Sequence, residues 1–187
     1  GVNLAPESDK VMIFLQGGGA CFDFLSCLAT ASSFGAGNFS TWADGRGERG
    51  IFDRDDAANP VADWNMVFVP YCTGDVHAGN NPEGPSDRMH VGFANMTEFL
   101  ERLVPTFESP SQVLLTGSSA GGFGAAYNWD HLQRAFGCDT PVYVVDDSGP
   151  PMSDSYLKPC LQQQWRDAWG LDDALPADCP ECSQDDG

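Results

Sequence analysis

Residues 112–122 read Gln112-Val113-Leu114-Leu115-Thr116-Gly117-Ser118-Ser119-Ala120-Gly121-Gly122, and the fold is decided there. Val113, Leu114 and Leu115 form a short apolar run without alternation, the pattern of a strand buried on both faces of a parallel sheet. A glycine-flanked serine follows at once. From residue 120 to 136 the pattern is helical, and Gly137 closes it. Strand, Gly117-x-Ser119-x-Gly121 and helix in that order make a nucleophile elbow, a cramped turn that lifts the Ser119 hydroxyl above the sheet. The start of the helix adds positive partial charge beneath the reacting oxygen. The alternative reading of the same residues is a tight glycine-rich turn with a solvated serine.

Working outward, similar runs of about five residues lie at 11–15, 66–71 and 141–145, each ending in Gly, Pro, Asp or Ser. Between them, Phe93, Met96, Phe99, Leu100, Leu103 and Val104 recur at helical intervals, so a helix is expected over 92–104 with Pro105 as its stop. Strands alternating with helices predict an α/β domain with a parallel, doubly wound sheet and a site beyond the carboxyl ends of its strands. Residues 29–59, rich in Gly, Ser, Asp and Arg and without clear period, read as a long loop or insertion near that site.

Two further motifs follow predicted strands. Gln16-Gly17-Gly18-Gly19-Ala20-Cys21 is a glycine-rich loop of the kind that turns backbone N–H groups toward a substrate oxygen, and Gly18, Gly19 and Ala120 are the candidate oxyanion donors. Alone, a glycine triplet is more often a flexible turn. After the run at 66–71, His77 and Tyr71 are candidate substrate-binding residues; His77 could equally be a general base or a hydrogen-bonded surface histidine. Asp146, Asp147 and Asp154 follow the last run. Asp147 is the candidate for the pocket; shaping the pocket floor or holding loops is the expected work of this group, with service of one as the acid in a divergent arrangement the alternative.

The composition removes several partners. The 187 residues include 27 acidic and 9 basic ones, a formal net charge of −18. Such a chain would repel a phosphate backbone or an anionic membrane surface. With 42% hydrophobic and 11% aromatic residues it can still build a core. No apolar run approaches the roughly 18 to 20 residues of a membrane span. Seven cysteines point to an oxidising compartment and to disulfides, with at least one thiol unpaired within the chain. Cys179 and Cys182 form a CxxC that reads as structural disulfide chemistry rather than half a zinc site or a redox pair.

Taken in order, residues 14–21, Asn59-Pro60, Asp63-Trp64-Asn65, residues 70–79, the elbow with Asn128 and Asp130, and Asp147-Ser148-Gly149 resemble the pectin acetylesterase / Notum family over about residues 11–182. The resemblance implies an α/β-hydrolase-like three-layer sandwich, an extracellular location and removal of an ester-linked acyl group. It implies Ser119 as nucleophile and Gly18, Gly19 and Ala120 as oxyanion donors, with no metal or organic cofactor. It also implies an acetylated polysaccharide such as pectin, or a small acyl ester, as substrate.

A serine hydrolase of this fold needs an acid and then a histidine after the serine. His131 alone follows Ser119, more than three helical turns along and about 18 Å away at about 1.5 Å per residue, so it is not expected to act as base. The expectation is therefore one catalytic domain over 1–187, its N-terminal and central portion, incomplete at the C-terminus. A non-catalytic glycan- or lipid-binding module, or a lipase- or thioesterase-like hydrolase, are the alternatives. Pectin is itself a polyanion, and the charge of −18 moves weight toward neutral acetylated glycans or small esters.

Overall fold

The structure, a computed structural model, describes residues 1–153 and 155–176. Strands β1 (Val2–Asn3), β2 (Lys10–Leu15), β3 (Asn65–Val69), β6 (Gln112–Ser118) and β7 (Val142–Asp147) form one sheet in the order β1-β3-β2-β6-β7. The pairs among β3, β2, β6 and β7 are parallel, whereas β1 runs antiparallel along β3, so the sheet is mixed at that edge. Two short strands, β4 (Asn81–Gly84) and β5 (Arg88–His90), form a separate antiparallel ribbon. The expected run at 66–71 stops at Val69 because Pro70 has no N–H to give the ladder.

Alternate strand residues face opposite layers. Val11, Ile13, Leu15, Val67, Val69, Val113 and Leu115 point to one face, which is covered by α3 (Gly92–Thr106) through Met96, Leu100 and Leu103 and by α4 (Ala120–Phe136) through Ala125 and Leu132. Helix α3 runs past Pro105 by one residue. In a last turn the missing N–H costs a single bond, and the chain caps one step later with Phe107 N–H on the Leu103 carbonyl.

The other face carries Met12, Phe14, Met66 and Phe68, and here the long-loop expectation fails. Residues 29–59 include α2 (Ala36–Ala43) and two 3₁₀ turns, and Phe34, Phe39, Trp42, Ile51 and Phe52 pack onto this face. Trp42 stacks on Phe68 at 3.6 Å between centroids. The segment is a covering layer, held by irregularly spaced aromatics that carry no helical period to read. That layer stops short of β7, whose Tyr143 and Val145 are 55% and 54% exposed, so β7 alternates where buried-on-both-faces was expected. Helices α1 (Phe24–Leu28) and α5 (Pro159–Trp169) lie outside the central sandwich.

The strand order places the site. From β2 the chain moves to β3 on one side, whereas from β6 it moves to β7 on the other. The carboxyl ends of the adjacent β2 and β6 therefore flank a switch point, the crevice where such sheets bind ligands. Leu15 pairs with Gly117 in register, so the loop after β2 and the turn after β6 leave the sheet side by side.

Candidate active site

Ser119 sits in the turn from β6 into α4 with φ 57° and ψ −120°, a backbone region that non-glycine residues rarely hold. Three backbone bonds hold it there. The Ser119 N–H donates to the Asp147 carbonyl over 2.8 Å, and the Ser119 carbonyl accepts from Gly122 and Phe123 at 2.9 and 3.2 Å. Gly121 has no room for a side chain, because an added Cβ would overlap the Leu15 carbonyl. Ala120 is the first residue of α4, so its N–H lacks an intrahelical acceptor and remains available to a ligand.

A cavity of about 160 Å³ opens beside Ser119. Ser119, Ala120, Gly19 and Ala20 line it where the elbow meets the glycine loop, and Val76, Phe123, Tyr127, Trp165 and Trp169 make the remaining wall largely apolar. Trp165 stacks on Trp169 at 5.4 Å, and the Trp169 indole N–H donates to the Cys21 carbonyl over 2.7 Å. Helix α5 is thereby tied to the glycine loop. Burial raises the Tyr127 hydroxyl pKa, so that group stays protonated. Neither Trp165 nor Trp169 was singled out from the sequence; their spacing of four on α5 was the available signal.

Tyr71 and His77 are not in the pocket wall, where they were expected. Each is 3% exposed and packed behind the glycine loop, the rings 4.7 Å apart. The Tyr71 hydroxyl donates to the Gly19 carbonyl over 3.0 Å and accepts from the Val76 N–H at 2.9 Å. His77 Nε2 lies 2.9 Å from the Gln16 carbonyl and, as the donor of that pair, carries the proton. Beneath them Asp75, with no exposed surface, accepts from the Thr73 hydroxyl at 2.5 Å, the His77 N–H at 3.2 Å and the Gly92 N–H at 2.7 Å. Gly92 opens α3, so the Asp75 carboxyl group meets a helix N-terminus. Asp75 was not singled out from the sequence, where His77 two residues on drew the attention.

The other expected residues divide. Gly18 packs against the Tyr71 ring, where a Cβ would come within 3.0 Å of Cδ1, and it does not line the cavity. Asp147 is exposed; its carbonyl holds Ser119 and its carboxyl accepts from the Ser148 hydroxyl at 2.7 Å. Asp146 accepts from the Gly149 N–H at 2.9 Å, and Asp154 lies outside the described residues.

All three histidines of the chain are engaged away from Ser119. His77 holds Gln16, His90 Nδ1 lies 2.7 Å from the Thr73 carbonyl, and His131 stacks on Phe93 at 4.5 Å between α4 and α3. Burial lowers the pKa of each, so all three are held neutral near pH 7. Cys21 and Cys27 form a disulfide that closes the loop just after the glycines, while Cys72, Cys138 and Cys160 are free thiols. Cys179 and Cys182 lie outside the described residues.

A family model described as pectinacetylesterase matches residues 4–185. Among curated proteins, the palmitoleoyl-protein carboxylesterase NOTUM of Drosophila melanogaster is 31% identical over 205 residues, covering 93% of this chain and 29% of that protein. Its mouse counterpart is 35% identical over 133 residues, covering 67% and 26%. Pectin acetylesterase 5 of Arabidopsis thaliana is 28% identical over 156 residues, covering 76% and 34%. The chain thus spans about a third or less of these relatives. A crystal structure of the Wnt deacylase Notum from Drosophila superposes with a TM-score of 0.67 at 26% identity, covering 97% of this chain and 56% of that one. The three layers described above are those of an α/β-hydrolase-like sandwich.

Proposed function

The chain belongs to the pectinacetylesterase family, and from that premise we propose that it is the N-terminal and central portion of a secreted serine carboxylesterase domain. The observation that carries this reading is Ser119, held at positive φ on the β6–α4 turn and bordering a cavity that Gly19, Ala20 and Ala120 also line. In the proposed reaction Ser119 Oγ attacks the carbonyl carbon of an acyl ester. Gly19 and Ala120, which line the cavity, supply N–H groups to the oxygen as it becomes negative, the alcohol leaves, and water releases the acyl group from Ser119. The proton from Oγ needs a histidine within about 3 Å. With His77, His90 and His131 bonded or stacked elsewhere, that base is assigned to a residue outside 1–187.

The substrate is an O-acylated polysaccharide or a small acyl ester. The charge of −18 disfavours pectin at low salt and supports a neutral acylated glycan. The Cys21–Cys27 disulfide supports secretion. The test is hydrolysis of p-nitrophenyl acetate and butyrate by a protein containing residues 1–187 and the downstream chain, beside Ser119→Ala. A loss of several orders of magnitude in kcat is expected; equal turnover by the variant would end the nucleophile assignment. A second reading, a non-catalytic acyl-binding module on the same fold, draws on the absence of a histidine bonded to Ser119 among the described residues. It predicts binding of acyl esters without turnover in that same full-length protein.

A further inference from the structure

We infer that the Ala20 N–H is an additional oxyanion donor and that Tyr71 is the positioning residue that aims it, an inference resting on the Ser119 esterase reading. Tyr71 binds the Gly19 carbonyl from behind the loop. A trans peptide is planar, with its C=O and N–H pointing in opposite directions, and no cis peptide bond occurs among the described residues. Fixing the Gly19 oxygen toward Tyr71 therefore turns the N–H of the same unit, that of Ala20, away from Tyr71. Gly19 and Ala20 both border the cavity that Ser119 faces, and no acceptor among the described residues takes the Ala20 N–H. The neighbouring Cys21 N–H is by contrast bound to the Gly74 carbonyl at 2.7 Å. The free amide is thus bracketed by two anchored points.

The backbone around Tyr71 is strained in a way that serves this bond. Val76 has φ 52° and His77 φ 61°, and a β-branched residue at positive φ is a true outlier. Such strain survives only where the surroundings enforce it. Here the enforcing contacts are the Asp75 bond to the His77 N–H and the Asn128 side chain donating to the His77 carbonyl over 2.9 Å. The strained turn gives the Val76 N–H to the Tyr71 oxygen, which leaves the single hydroxyl proton for Gly19. It also puts Val76 into the cavity wall. Burial beside Asp75 raises the Tyr71 pKa, so the proton is retained across the working range.

The experiment uses n-butylboronic acid, which reads the site without turnover. The Ser119 Oγ–B bond forms, the boron becomes a tetrahedral anion bearing two hydroxyls, and the Oγ proton goes to solvent. In wild-type protein the Ala20 amide proton, followed by ¹H–¹⁵N NMR, moves downfield on adduct formation. In Tyr71→Phe the boronate Kd rises about tenfold to hundredfold, in the range expected for disturbing one oxyanion donor, while pentan-2-one, a trigonal occupant of the same cavity, binds as before. An unmoved Ala20 amide in a wild-type adduct overturns the inference and leaves the esterase reading standing. Equal boronate affinity in Tyr71→Phe, or equal weakening of boronate and ketone, also overturns it. Absence of any adduct in wild-type protein, or an equal one in Ser119→Ala, fells the esterase reading and this one with it. The amide measurement needs no variant, so it decides even if Tyr71→Phe does not fold.

Discussion

Gly121 lies so close to the carbonyl oxygen of Leu15 that a single added methyl group would overlap it. The elbow and the first parallel strand are thereby locked together at the crevice where the glycine loop also begins. Gly121→Ala forces backbone against backbone, with no flexible side chain to yield. A loss of about 3 kcal/mol is expected, the upper end for overpacking. Gly137→Ala is the comparison: its φ is 81° but nothing lies near its Cβ position, so only strain is added, about 1 kcal/mol. Urea midpoints at constant m separate the two; equal losses would mean that the contact with Leu15 does not set the elbow.

Asp75 is the second structural anchor, with three donors and no exposure. Asp75→Asn replaces one acceptor oxygen by an amide that cannot accept and opposes buried donors. The expected cost is about 3 kcal/mol, near a 10 °C fall in Tm for about 2–4 °C per kcal/mol at this chain length. A Tm within 2 °C of wild type in thermal unfolding would remove Asp75 from this role.

Much of this arrangement was legible in the sequence because it is local. The run 112–118, the glycines around Ser119 and the helix closed by Gly137 follow from pattern and backbone sterics, and α4 has the expected ends. Tyr71 and His77 were singled out as candidate substrate-binding residues, but their placement behind the loop depends on which carbonyls of residues 16–19 lie opposite, and no spacing encodes that. Phe34, Phe39, Trp42 and Phe52 were plain in the sequence as residues. Their joint packing on Phe68 required the sheet to exist first. The pocket wall at Trp165 and Trp169 was hidden for the same reason: α5 reaches the site through the Trp169 bond to Cys21, 148 positions away in sequence.

Stability should fall as the pH drops below about 6.5, the ordinary histidine value. His77, His90 and His131 all have folded pKa values lowered by burial. The unfolded chain therefore binds protons first, and the stability of the neutral forms, complete above the unfolded pKa, is lost on acidification toward the folded values. Tm measured across that window should decline, and less steeply in His131→Gln, which removes one titrating group. A flat profile would contradict the burial of the three rings.

The net charge of −18 makes two behaviours salt-dependent. Screening of surface repulsion, over a Debye length of about 8 Å at 0.15 M, should raise Tm as salt is added. In the full-length protein, if the proposed activity holds, acetate release from acetylated pectin should rise with salt, while release from a neutral acetylated xylan should barely change. Parallel responses of the two substrates would show that the charge does not govern substrate approach.

Cavity shape bears on the acyl group. About 160 Å³ walled by Phe123, Tyr127, Trp165 and Trp169 is more room than an acetyl methyl group fills. Each methylene buried against such a wall contributes about 0.8 kcal/mol, so butyrate should exceed acetate by about tenfold in kcat/KM. A second cavity of about 270 Å³ lies beyond, sharing Phe123, Tyr127 and Trp165 as walls. Trp165→Ala removes part of the partition, and the optimum should then move to longer chains, with hexanoate and octanoate gaining on butyrate. The change in chain-length profile is the decisive reading, because lost stability alone would lower all esters together. An acetate optimum in wild type, or an unmoved optimum in the variant, would detach this cavity from the acyl group.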